Sequence, residues 1–171
     1  ATFSDDVTST TITVNGTGNA KFVGDVTATD INLTGGGTVT LNNIAAKTIT
    51  ANITEATAGT TELVVADTVD GAHAIVTVSG DVTVDDITVG DTLKAGLVKF
   101  TGSTTGAAAV TGGNAAEEDS NMEISSNTHT GTVALEENGL GDAAFTLSGT
   151  TSEIVGAITT TGDGEGQVVA A

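Results

Sequence analysis

His73 and His129 are the only side chains in this sequence whose charge ordinarily changes near neutral pH. Neither has a Ser–His or Cys–His spacing around it. The chain holds no Cys, so a thiol nucleophile, a disulfide and a thiolate metal site are all absent. It also lacks Arg, so nothing can clamp an anionic substrate with two parallel hydrogen bonds. His73 follows an Asp70-Gly71 turn and His129 lies between two threonines; a surface position is expected for each. No phosphate loop, dinucleotide fingerprint or zinc spacing occurs. Catalysis has little to work with, and the chain reads as a non-enzyme.

Carboxylates are the one abundant reactive group. Three clusters have the hard oxygen atoms that suit calcium: Asp85-Asp86 with Asp91, Glu117-Glu118-Asp119, and Asp163-Gly164-Glu165-Gly166. Each also reads as an ordinary solvated acidic turn. Calcium is therefore the one ligand kept as an expectation, with no particular metal ligands assigned.

The charge balance excludes whole classes of partner. Twenty-two acidic residues stand against Lys21, Lys47, Lys94 and Lys99, for a net charge of −18. Nucleic acid needs a basic footprint, and an anionic membrane surface attracts basic segments, not acidic ones. No apolar run approaches the ~18–20 residues that a spanning helix requires, so membrane insertion is not expected. The opening Ala1-Thr2-Phe3 fits a removed leader or a trimmed initiator Met.

The elements that would position these groups are strands. Apolar and polar residues alternate in Thr11-Ile12-Thr13-Val14, Thr38-Val39-Thr40-Leu41, Ile75-Val76-Thr77-Val78, Leu97-Val98-Lys99-Phe100 and Phe145-Thr146-Leu147. Period two sends one set inward and the threonines outward. Phe3, Phe22, Phe100, Phe145 and Met122 are the only bulky core candidates beyond Val, Ile, Leu and Ala. No window of helical period stands out. Asn15-Gly16, Asp70-Gly71 and Asn138-Gly139 lie between alternating runs, the signature of type I′ hairpin turns. These signals predict about ten to twelve short strands in a single all-β domain over 1–171. The expected fold is an antiparallel β-sandwich, jelly-roll or immunoglobulin-like, with a parallel β-solenoid as the alternative. Residues 101–121, rich in Gly, Ala, Ser and Thr, are expected to form a long flexible loop.

Two features speak to the alternative. Gly24-Asp25-Val26-Thr27-Ala28-Thr29-Asp30-Ile31 recurs as Gly80-Asp81-Val82-Thr83-Val84-Asp85-Asp86-Ile87, matching at six of eight positions 56 residues apart. Such repeats mark solenoids, although a chain this rich in Thr, Val, Gly and Asp also matches itself by chance. Residues Val7–Val14 form a β-prone segment near a chain end. It suits either a first strand in its own sheet or a strand added to a neighbour's open edge.

The stretch Phe22-Val23-Gly24-Asp25-Val26-Thr27-Ala28-Thr29-Asp30-Ile31-Asn32-Leu33-Thr34-Gly35-Gly36-Gly37-Thr38-Val39-Thr40-Leu41 resembles passenger repeats of bacterial autotransporter and surface-layer proteins. It also resembles repeats of phage fibre and head-decoration proteins. In both groups the resemblance implies a structural or adhesive role. The expectation is a self-assembling subunit of an extracellular or cell-surface prokaryotic filament, pilus-like fibre or surface layer. Its partner would be itself, as a homo-polymer, with N-terminal strand addition as the candidate means of joining. The alternative is a bacteriophage virion protein whose partners are capsid proteins.

Overall fold

The computed structural model describes residues 1–57, 59–66, 73–115, 118–162 and 166–171. Their architecture is a parallel β-solenoid of about seven turns, with no helix among the described residues. β1 (Thr2–Phe3), β2 (Val7–Thr8) and β3 (Thr11–Asn15) make the first turn, one strand per face. β4 (Asn19–Phe22) and β5 (Val26–Thr34) make the second, and β6 (Thr38–Leu41) and β7 (Lys47–Thr57) the third. β5 and β7 each serve two faces, with a shift of register between Thr27 and Asp30 of β5 where the chain bends. β8 (Glu62–Val65), β9 (Val76–Val78) and the start of β10 (Val82–Val89) form the fourth turn. The end of β10, β11 (Leu97–Phe100) and the start of β12 (Thr104–Thr111) form the fifth. The end of β12, β13 (Ser120–Ser125) and β14 (Thr128–Thr130) form the sixth. β15 (Val133–Glu136), β16 (Ala143–Ser148) and β17 (Glu153–Val155) complete the seventh, and β18 (Ile158–Thr161) and β19 (Gln167–Ala170) lie beyond it.

The register stacks inward side chains in columns. On the first face, Phe3, Phe22, Leu41, Val65, Val89, Val110, Leu135 and Thr160 follow one another from rung to rung. The second face stacks Val7, Val26, Ile49, Val78, Phe100, Ile124, Leu147 and Ala170. The third stacks Ile12, Ile31, Ile53, Val82, Thr104, His129 and Ile154. Phe22, Phe100, Phe145 and Met122 are fully buried, and Phe3 stacks on Phe22 with ring centroids 5.0 Å apart. A narrow interior filled from three sides needs branched aliphatics of modest size. That is why so few aromatics suffice.

The primary expectation of an antiparallel sandwich is thus corrected: the pairings between the named strands are parallel. Alternation reports which side chains point inward; it carries no information on strand direction. The turn signals are real but do different work. Gly16 and Gly139 have φ of 58° and 71°, as the Asn-Gly turns require. Each turn delivers the chain to the next face instead of folding it back along the same one. The third such site, Asp70-Gly71, lies outside the described residues.

The expected loop at 101–121 is also corrected, because it contains β12 and the start of β13. Its small residues serve close rung stacking. Gly106, Gly131 and Gly156 succeed one another at the corner between the third and first faces. A Cβ on Gly131 would lie 2.0 Å from the Gly106 carbonyl oxygen, and one on Gly156 1.8 Å from that of Gly131. The segment Val7–Val14, expected either as a first strand in its own sheet or as a strand added to a neighbour, lies in the chain's own sheet against β5.

Candidate functional site

The three flat outer faces are covered by Thr, Asn, Asp, Glu and Lys, which form ladders between rungs. Thr54 donates to Asn32 (3.0 Å), Thr88 to Glu62 (2.9 Å) and Thr146 to Asn121 (3.0 Å). Lys99 donates to Glu123 at 2.7 Å, and Ser148 donates to the same carboxylate. Burial works against the charged Glu123, but the bonds from Lys99 and Ser148 outweigh it and hold the carboxyl below its usual range.

Many acids act at corners, where they accept from backbone amides of a neighbouring rung. Asp25 Oδ1 accepts from Thr48 N at 2.8 Å, and the Asp25 amide donates to Asp6 at 2.9 Å. Asp81 accepts from Ser103 N at 2.8 Å, and its own amide donates to Asn52 at 3.1 Å. The Gly-Asp-Val-Thr repeat is therefore a repeated corner device. Its two copies occupy different corners, before the second face at Asp25 and before the third at Asp81. Asp85 accepts from the Thr61 amide (2.8 Å) and hydroxyl (3.1 Å), and Asp119 from Asp142 N (2.9 Å). Asp91 caps the amides of Leu93 and Lys94 at 2.7 and 2.9 Å. Several members of the first two calcium clusters are thus tied to backbone; Glu117 and residues 163–165 lie outside the described residues. Among the described residues, no group of three or more His, Asp or Glu is placed to hold a metal ion.

Irregular chain gathers at one edge, between the first and second faces. His73, expected at the surface, is half-buried there, its Nε2 3.6 Å from Glu118 Oε2. Glu118 is 2% exposed and accepts from Ala95 N at 2.7 Å. Ser120 ties the same edge, donating to Thr111 O (2.6 Å) and accepting from Gly96 N (3.0 Å). Asn138 Nδ2 donates to Thr92 O at 2.8 Å across 46 residues. Asn43 is fully buried, and its backbone oxygen accepts from Ala74 N at 2.8 Å. Lys47, 5% exposed, donates Nζ to the Val23 carbonyl. Burial pushes its pKa down, Asp25 opposes that, and Lys21 adds to it. The His73–Glu118 contact ties two loops of this edge together.

The same edge carries what the sequence reading missed. Ile44, Ile75, Leu93 and Leu140 are exposed there, by 37%, 50%, 57% and 71%. The remaining exposed large hydrophobics among the described residues are Val155, Ile158, Val168 and Val169, all on the last strands. A lone leucine in Asp91-Thr92-Leu93-Lys94 or Asn138-Gly139-Leu140-Gly141 was the available signal, since such loops need no apolar residue. His129 departs further from its expected surface position: it is fully buried in the third-face column.

No family model, no curated protein and no solved structure matches this chain.

Proposed function

We propose that this chain is a structural subunit that assembles with copies of itself into a filament or layer outside the cell. The observation that carries the reading is the segregation of exposed large apolar side chains. They occupy the loop edge and the last strands, while Thr and charged residues cover the flat faces. Scattered exposed apolar residues mean little, but patches mark contact surfaces. Among the described residues, the outer edges of β17, β18 and β19 pair with no strand, and neither do those of β1, β2 and β3. Open edges in parallel register accept another strand through backbone hydrogen bonds. A head-to-tail contact leaves the same two edges free and so propagates. The acidic outer faces keep neighbouring fibres apart until cations screen them.

Electron microscopy and sedimentation of the 171-residue chain test this. Rungs at ~4.8 Å spacing give an axial repeat of roughly 35–40 Å along a stacked fibre. Val168→Lys places a charge at the open end and is expected to abolish end-to-end growth while leaving the fold intact. Leu93→Ser with Leu140→Ser is expected to remove lateral association and keep single fibres. A wild-type chain that stays monomeric at high concentration and at every ionic strength would overturn the reading.

A further inference from the structure

We propose that His129 is an acid-sensitive latch whose protonation releases the C-terminal rungs, from about residue 126 onward, from the rest of the solenoid. The imidazole replaces an aliphatic side chain in the column Ile53, Val82, Thr104, His129, Ile154. It is 0% exposed. Nδ1 lies 2.8 Å from Thr104 Oγ1, while Nε2 is buried without a hydrogen-bond partner. Phe145 packs beside the ring, centroids 5.8 Å apart and planes at 58°. The backbone at Thr132 favours the charged ring but makes no bond of good geometry to Nε2; burial dominates and holds the pKa below its ordinary value.

Among the described residues no carboxylate pairs with this imidazole; Glu123 of β13 is bound to Lys99, and Glu136 of β15 is exposed. β12, β14 and β16 hold no other ionisable residue. On β17, Glu153 is exposed, and on β10 Asp85 and Asp86 are exposed on the outer face. A charged ring has two N–H donors, of which Thr104 can accept one. The other has only the Thr132 backbone to turn to, whose carbonyl already accepts from Ala108 N, in an otherwise apolar interior where a charge is costly.

The fold offers an inexpensive way out. Each rung of a solenoid touches only its neighbours, so an end can open without the whole unfolding. The rungs beyond His129 are the least protected: every described residue of β18 and β19 is exposed. The sign follows from linkage. The opened state binds the proton more readily than the closed one, so the latch holds above the ordinary His pKa and weakens as pH falls below it.

Hydrogen exchange read by mass spectrometry on the 171-residue chain, at pH 7.5 and 5.5 and corrected for intrinsic rates, tests this. One unit below the ordinary His pKa of ~6.5, the opening equilibrium rises by up to about tenfold. Protection over 126–171 is expected to fall by that factor, while protection over 19–57 holds. His129→Leu should abolish the difference; His73→Gln, a control for the other histidine, should retain it. Equal loss over both segments, no loss over 126–171, or the same loss in His129→Leu would each overturn the latch. Should His129→Leu fail to fold, an NMR titration of His129 in the wild type decides: a ring titrating at the ordinary value refutes the proposal.

Discussion

Thr104 Oγ1 and His129 Nδ1 meet at 2.8 Å inside a column whose other members are all aliphatic. The Thr104 hydroxyl and the Nδ1 of His129, 25 positions apart in sequence, satisfy each other on successive rungs. Removing one strands the other, so Thr104→Val is expected to destabilise by about 1–3 kcal/mol. Removing both should be far milder, because the column then becomes uniformly apolar. Urea melts of Thr104→Val, His129→Leu and the double variant form a thermodynamic cycle. A double variant as unstable as the sum of the singles would show that the pair is not coupled.

Gly131 is expected to be the least replaceable glycine of its corner. Its φ of 147° is open to few residues with a Cβ, and the built Cβ meets backbone at 2.0 Å. Strained backbone alone costs on the order of 1–3 kcal/mol, and the rungs must separate as well. Gly131→Ala should lower the melting temperature strongly. Gly16→Ala, with φ of 58° and nothing within 4 Å, should cost less. Thermal melts of the two side by side give the comparison; equal losses would remove the stacking argument.

The all-β class was legible because alternation and β-branched side chains are local properties. Ile12, Val39, Val78 and Phe145 point inward as the period-two pattern requires. Topology was not legible, and the reason lies in spacing. Phe3 and Phe22 are rung neighbours 19 residues apart, Ile53 and Val82 29, His129 and Ile154 25. Corner loops of unequal length hide the period that would have declared a solenoid. The recurrence of Gly24–Ile31 at Gly80–Ile87 carried a physical message, amide capping at a corner, yet at two different corners. Burial of His129 was invisible because Thr flanks it, and Thr is the outward residue almost everywhere else. The edge position of Leu93 and Leu140 depends on which loops stack, which no short window contains.

Lys99 and Glu123 provide a pH-dependent contribution of known sign. The Glu123 carboxyl is held below its usual range, so its stabilisation is present above ~4.3, the ordinary Glu value, and is lost as pH falls through the folded value. Lys99→Met removes one bond and the opposite charge, and leaves burial and Ser148. NMR titration should then show the Glu123 pKa rising. The pair is partly exposed, so the cycle of Lys99→Met and Glu123→Gln should give a coupling under about 1 kcal/mol. An unchanged Glu123 titration in Lys99→Met would mean that Ser148 alone sets it.

Asp81 and Asp86 separate acids that cap from acids that only add charge. Asp81 accepts from the Ser103 amide at a corner, whereas Asp86 is exposed on β10. Asp81→Ala is expected to cost about 0.5–1.5 kcal/mol. Asp86→Ala should fall within about 0.5 kcal/mol of wild type, since it breaks no cap and lowers a large negative charge. Calcium sharpens the contrast. An ion that binds only the folded chain raises its melting temperature, while screening alone acts equally for magnesium at matched ionic strength. If these carboxylates serve the backbone, millimolar calcium and magnesium should shift the wild-type melt alike. A calcium-specific rise that disappears in Asp86→Ala would instead make Asp86 a ligand.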